Sequence, residues 1–220
     1  LKNKNIGKKE LLFLGKRSFH SLGCYDNSYI ELVSKNFDNL NVIYACSNLL
    51  DKKEIDGIQY LKIFKYNKLT KFRKIFSYIY SLLKLLFFIK KNNPNYIHIQ
   101  WLLLPGIDYI WLSLLRILCW KGVFIITIHN AKNRESSFSK LFTKLCYQHI
   151  NRFVVHSFMC KNYLIQKYPF IKKEIIYIGR HGIIDTDSNS ELIHEEEKIL
   201  NDIKTVKKKY KKIYIFIGTG

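Results

Sequence analysis

The sequence predicts a doubly wound α/β domain built on a mostly parallel sheet of about seven strands. Short, continuously apolar, β-branched runs recur along the chain, as strands buried on both faces require. Longer stretches of helical period separate them, and strand followed by helix, repeated, implies parallel pairing with crossovers packed on both faces of the sheet. Over 220 residues, 48% hydrophobic content with few Gly and three Pro is enough to bury a sizeable core and argues against disorder.

The strands are read in order as residues 11–15 (Leu-Leu-Phe-Leu-Gly), 41–45, 58–64, 96–99, 123–128, 152–155 and 174–178. The third alternates and belongs nearer an edge. Helical period marks 26–37, 71–91, 105–120, 136–149 and 158–168. From Ile184 the character changes to a polar segment and then a charged one, acidic first and basic later, which suits a surface helix and its dipole. The chain opens on Leu1, its single methionine is Met159, and it stops as a strand runs into Gly218-Thr219-Gly220. It therefore reads as a fragment: a domain over 1–184, a connector over 185–212, and the first strand of a further domain over 213–220.

Five scattered cysteines with no CxxC pair read as buried free thiols in a reducing, cytoplasmic compartment. A formal net charge of +20 favours anionic partners: phosphorylated small molecules, acidic lipid or nucleic acid. No nucleic-acid motif accompanies the charge, and the aromatics sit in core-like runs, so nucleic acid is not the expected partner, although a basic nucleotide- or nucleic-acid-binding module is the alternative the charge suggests.

In an open parallel sheet, ligands bind beyond the carboxyl ends of the strands. Strand one is followed by Lys16-Arg17 and a loop closed by Gly23, where a phosphate could rest on the coming helix start. Strand four ends in His98-Ile99-Gln100-Trp101, strand five in His129-Asn130, strand six in His156-Ser157, and strand seven in Gly179-Arg180-His181-Gly182. His and Arg meet phosphate oxygens with charge, and Asn, Gln and Ser sort hydroxyls. His98 lies within an apolar run and reads as a hydrogen-bonded core residue. His129 is the leading functional histidine; His156 and His181 divide evenly between roles, and His20, His149 and His194 read as surface or helix positions. No HxxxH or CxxC spacing supports a metal site, and the absence of GxGxxG disfavours a dinucleotide enzyme.

The order of these pieces resembles the N-terminal domain of GT-B glycosyltransferases, in particular the retaining, nucleotide-sugar-dependent family 4. The likeness rests on the Gly-containing first loop, His129-Asn130, Val154-Val155-His156-Ser157, the Gly182 ending, and the connector leading to Ile215-Phe216-Ile217-Gly218. It implies a hexosyltransferase that needs no metal or other cofactor and builds surface polysaccharide. A C-terminal domain outside this chain would bind the nucleotide-sugar donor, and this half, inactive alone, would take a glycan or lipid-linked acceptor. His129 matches the family's histidine that reaches the donor sugar; Gly23, Ser157 and Gly182 match cleft positions, and basic groups such as Arg17 and Arg180 would steady the leaving diphosphate. The chain departs from the pattern with a single Gly in the first loop and with Arg180-His181 where a Pro often stands.

Residues 71–91 allow two readings. Lys74, Ser77, Ser81, Lys84 and Lys91 form one stripe, and apolar residues fill the rest. The segment is either a crossover helix with a wide buried face or a helix lying on an anionic membrane surface, at the inner face of the membrane. Lys84 interrupts it too early for a span. Residues 101–120 are also apolar, but Pro105, Asp108 and Arg116 argue against a span there.

Overall fold

The computed structural model describes residues 9–16, 21–37, 39–49, 54–65, 70–118, 120–129 and 136–179. The chain divides into two units, Leu1–Ile183 and Ile184–Gly220, and all described residues belong to the first.

Seven strands form one all-parallel sheet: β1 (Lys9–Leu14), β2 (Leu40–Ser47), β3 (Gln59–Phe64), β4 (Tyr96–Ile99), β5 (Val123–Ile128), β6 (Arg152–Val155) and β7 (Ile176–Ile178). Their order is β3-β2-β1-β4-β5-β6-β7. The alternating third run is indeed an edge strand. The last strand starts later than the sequence predicts, because Lys173–Ile175 closes a 3₁₀ turn before pairing begins at Ile176. Among the described residues, five helices connect the strands: α1 (Ser21–Asn36), α2 (Lys71–Asn92), α3 (Pro105–Ile117), α4 (Ser137–Gln148) and α5 (Phe158–Lys167).

Local chemistry sets the helix ends. Ser136 and Ser157 cap α4 and α5, each hydroxyl accepting from the backbone N–H three residues on. Pro105 opens α3 where no intrahelical donor is lost. Asn93 closes α2 in the left-handed region (φ 48°), its N–H bonded to the Ile89 carbonyl.

The two faces of the sheet are covered unequally. Leu12 and Leu14 of β1 and Ile43 and Ala45 of β2 join the large core shared with α2, α3, α4 and α5. Their neighbours Leu11, Phe13, Val42, Tyr44 and Cys46 point the other way, into a smaller core with Ile30 of α1. Among the described residues, α1 is the helix of that second core.

Helix α2 buries part of its apolar surface and exposes the rest. Tyr78, Leu82, Leu85, Leu86 and Ile89 are buried, whereas Phe76, Leu83 and Phe87 are exposed. The expected wide buried face is narrow. Ser81, expected on the polar stripe, is buried and bonds the carbonyls of Ile63 and Ser77, so a small hydroxyl fills the contact with β3. Among the described residues no helix is long and apolar enough to cross a membrane.

Candidate functional site

The strand order reverses between β1 and β4, and a crevice is expected outside the carboxyl ends there. On the β1 side, Gly15 continues the ladder, donating to the Ala45 carbonyl. A Cβ at Gly15 would collide with the Asp26 carboxyl and the Tyr44 ring, so only Gly fits. Asp26 is 1% exposed and accepts from the Tyr44 hydroxyl at 2.9 Å. Burial pushes its carboxyl up to about 7, with the Tyr44 hydrogen bond opposing the rise.

Lys16 corrects the phosphate-loop expectation for that residue. It is fully buried, its ammonium 2.6 Å from the Asp108 carboxylate of α3 and over the rings of Tyr78 and Trp111. The Tyr78 hydroxyl also donates to Asp108, and the second carboxylate oxygen accepts from the backbone of Leu103 and Leu104 at 2.8 and 3.0 Å. A cation tied this way joins β1, α2 and α3, and is spent on the fold. Asp108 and Arg116, read as obstacles to a span, have internal partners. Arg116 bonds Asn151, His149 and Gly122 at the amino ends of β5 and β6. Helix α1 begins at Ser21, earlier than its helical period predicts, so Gly23 lies in its first turn, where the N–H groups lack intrahelical acceptors.

On the β4 to β7 side, the parallel register assembles a row. Ile128 pairs with Val155 and Val155 with Ile178, so His129, His156 and Gly179 follow as neighbours past the strand ends. His156 Nδ1 lies 2.8 Å from the Gly179 carbonyl oxygen. His156 Nε2 lies 3.3 Å from His129 Nδ1, and His129 Nε2 lies 2.8 Å from Gln100 Oε1. Trp101 stacks on the His129 ring, centroids 4.1 Å apart and planes within 9°. Gln100 is fully buried, and its amide nitrogen has no hydrogen-bond partner as placed. Ser157 sits half-buried beside His156, its oxygen engaged in capping α5. Among the described residues no three His, Cys, Asp or Glu side chains gather as metal ligands.

The sequence-predicted residues thus divide. Gln100, His129 and Ser157 stand on the rim of β4, β5 and β6. Gly23 is in α1. Arg17, Asn130, Arg180 and Gly182 lie outside the described residues, as do His20, His181 and His194. His98 is a core residue, 1% exposed, bonded to Thr127 at 2.8 Å and set edge-on to Phe13 and Tyr29. Burial pulls its imidazole down to about 3, so it is neutral. His149 caps α4 and meets Ser113, away from the rim. Cys46 and Cys146 are buried free thiols pushed up to about 12 by burial, which excludes thiolate chemistry there, and Cys160 is a half-buried free thiol. The sequence divides His156 evenly between roles and gives Trp101 none; the register of β5 and β6 sets His156 beside His129, and Trp101 packs on the His129 ring.

No protein-family model and no curated protein matches the chain. Among solved structures it is similar to the lipopolysaccharide outer core galactosyltransferase WaaB in its apo form, with 14% identity and a TM-score of 0.50 over 79% of this chain and 46% of that one. It is similar to a glycosyltransferase from Rickettsia africae ESF-5, with 17% identity and a TM-score of 0.51 over 87% and 49%. It is also similar to Anabaena Alr3699/HepE, whose structure is a complex with UDP and glucose, with 13% identity and a TM-score of 0.51 over 80% and 45%. The chain spans about half the length of each. At these identities the likeness is one of fold: the chain carries a seven-stranded parallel α/β sheet of the GT-B-like kind found in solved glycosyltransferases.

Proposed function

We propose that this chain is the N-terminal, acceptor-side part of a family 4-like glycosyltransferase. On this reading 1–184 form the acceptor domain, 185–212 the connector, and 213–220 the start of the donor-binding domain. The enzyme would move a hexose, with retention and without a metal, from a nucleotide sugar to a hydroxyl of a glycan or lipid-linked acceptor of a surface polysaccharide. The acceptor oxygen bonds the anomeric carbon as the bond to the diphosphate breaks, and the departing diphosphate oxygen takes up the acceptor's proton. The carrying observation is the Gln100–His129–His156 row at the strand ends of a fold shared with glycosyltransferases. Hydrogen-bonding groups at that place suit sugar hydroxyls. Arg17, Asn130, Arg180 and Gly182 complete the proposed set from the neighbouring loops. The test is a nucleotide-sugar panel given to the full-length protein with membrane extract. Transfer of sugar from one donor, with release of its nucleoside diphosphate, supports the reading. No consumption of any donor, with salt-resistant binding to nucleic acid instead, would replace it with the basic-module reading.

The acceptor side carries a membrane proposal. Helix α2 has six cations and no carboxylate. Phe72, Phe76, Tyr80, Leu83 and Phe87 recur on one stripe, with Phe72, Phe76 and Phe87 77%, 70% and 74% exposed. Lys84 lies over the Tyr80 ring at 4.5 Å. Apolar rings flanked by cations match an anionic bilayer surface at the inner face of a membrane. Insertion of one Phe is worth about 1.5–3 kcal/mol, so Phe76→Ser with Phe87→Ser should weaken sedimentation with phosphatidylglycerol vesicles at least ~100-fold. Because both rings are exposed, the unfolding midpoint should hold. Equal binding by the variant, or none by the wild type at low salt, contradicts the proposal.

A further inference from the structure

We infer that His156 is a positioning residue that fixes the tautomer and ring orientation of His129; this rests on reading the rim as the sugar site. The Gly179 carbonyl oxygen can only accept, so the His156 nitrogen facing it at 2.8 Å, Nδ1, carries the hydrogen. In a neutral His156, Nε2 is then an acceptor, and the nitrogen it faces, His129 Nδ1, donates to it. A neutral His129 is thereby left with Nε2 as an acceptor, turned toward Gln100.

Gln100 can meet that acceptor. As placed, its carbonyl oxygen faces Nε2 while its buried amide nitrogen has no partner. An amide is nearly symmetric in shape, and turning it end for end lets that nitrogen donate to Nε2. The result is one directional chain, from the Gln100 amide through His129 and His156 to the Gly179 carbonyl, with donor meeting acceptor at each link and no charge required. The Trp101 stack holds the ring plane.

The chain has a consequence for the ligand. An isolated neutral histidine favours the hydrogen on Nε2; His156 reverses that preference in His129. Nε2 then accepts a hydrogen bond, and a sugar hydroxyl can take the place of the Gln100 N–H. His156 acts through His129, much as a carbonyl or carboxylate orients a ligating imidazole.

The test is long-range proton–nitrogen NMR on the full-length protein carrying ¹⁵N-labelled histidine rings, near neutral pH. The expected result is the Nδ1–H form for both His129 and His156. In His156→Phe, His129 should revert to predominantly Nε2–H. In His156→Gln, whose amide offers one donor and one acceptor, His129 should keep Nδ1–H. In the nucleotide-sugar assay His156→Phe should lose about 10–100-fold in kcat with a smaller change in KM, and His156→Gln should recover most of it. An Nε2–H form of His129 in the wild type overturns the inference, as do His129 signals unchanged by His156→Phe. The wild-type tautomer decides the matter even if a variant fails to fold. It needs no sugar donor, so absence of transfer counts against the proposed function and leaves the positioning role to stand or fall on the spectra.

Discussion

Asp108→Ala is expected to cost about 3–5 kcal/mol of folding stability, because it strands the Lys16 ammonium without its counter-charge inside the domain. The cation cannot reach water by a rotamer change, since its side chain is fully buried. The same substitution strips the Tyr78 hydroxyl and the N–H groups of Leu103 and Leu104 of their acceptor. Lys16→Met should destabilise in the same range by leaving the carboxylate uncompensated. The double variant Lys16→Met with Asp108→Leu should cost well under the sum, since apolar groups of similar volume often replace a buried pair nearly neutrally. Urea unfolding of the four proteins measures the cycle; additive single effects would show that the pair is not coupled.

Asp26→Asn is expected to stabilise the protein by about 2–4 kcal/mol at pH 7.5 and by little at pH 4. In the fold the Asp26 carboxyl holds its proton up to about 7, against 3.8 ordinarily. The unfolded chain therefore binds fewer protons across that window, and stability is lost as pH rises from about 4 to 7. Asparagine mimics the protonated acid and can still accept from Tyr44. His98 has the opposite sign. Its folded imidazole titrates at about 3 against 6.5 ordinarily, so its contribution is present above 6.5 and lost as pH falls toward 3. Between about 4 and 6.5 the two slopes oppose one another in the wild type. Removing Asp26 should leave the acid-side loss unmasked. Urea midpoints at pH 4, 5.5 and 7.5 for wild type and variant test both halves, and equal midpoints at pH 7.5 would contradict the assignment of Asp26.

The parts of the fold that local pattern controls could be read directly. β4, β5 and β6 fall where their apolar runs end, because beyond their first residues (Tyr96 in β4, Arg152 in β6) these strands carry nothing polar except the internally bonded His98 and Thr127. Those boundaries placed Gln100, His129 and Ser157 on one rim. What escaped the sequence depends on distance along the chain. Lys16 and Asp108 are 92 residues apart, and a lysine after a strand looks like any solvated cation. Helix α2 shows the limit of periodicity: apolar residues fill most of its circumference, and the pattern cannot say that Leu82 and Leu86 face β-strands while Phe76 and Phe87 face outward. His156 was weighed equally between roles because its partner is a backbone carbonyl, which leaves no trace in residue identity.

On the proposed reading, the rim past β4, β5 and β6 holds the sugar, with His129 in contact with it. Turnover of the preferred nucleotide sugar by full-length His129→Ala, compared with wild type, tests this most directly. A fall in kcat/KM of about 100-fold or more is expected, with the cooperative unfolding transition preserved. Wild-type turnover in a folded His129→Ala protein would contradict it.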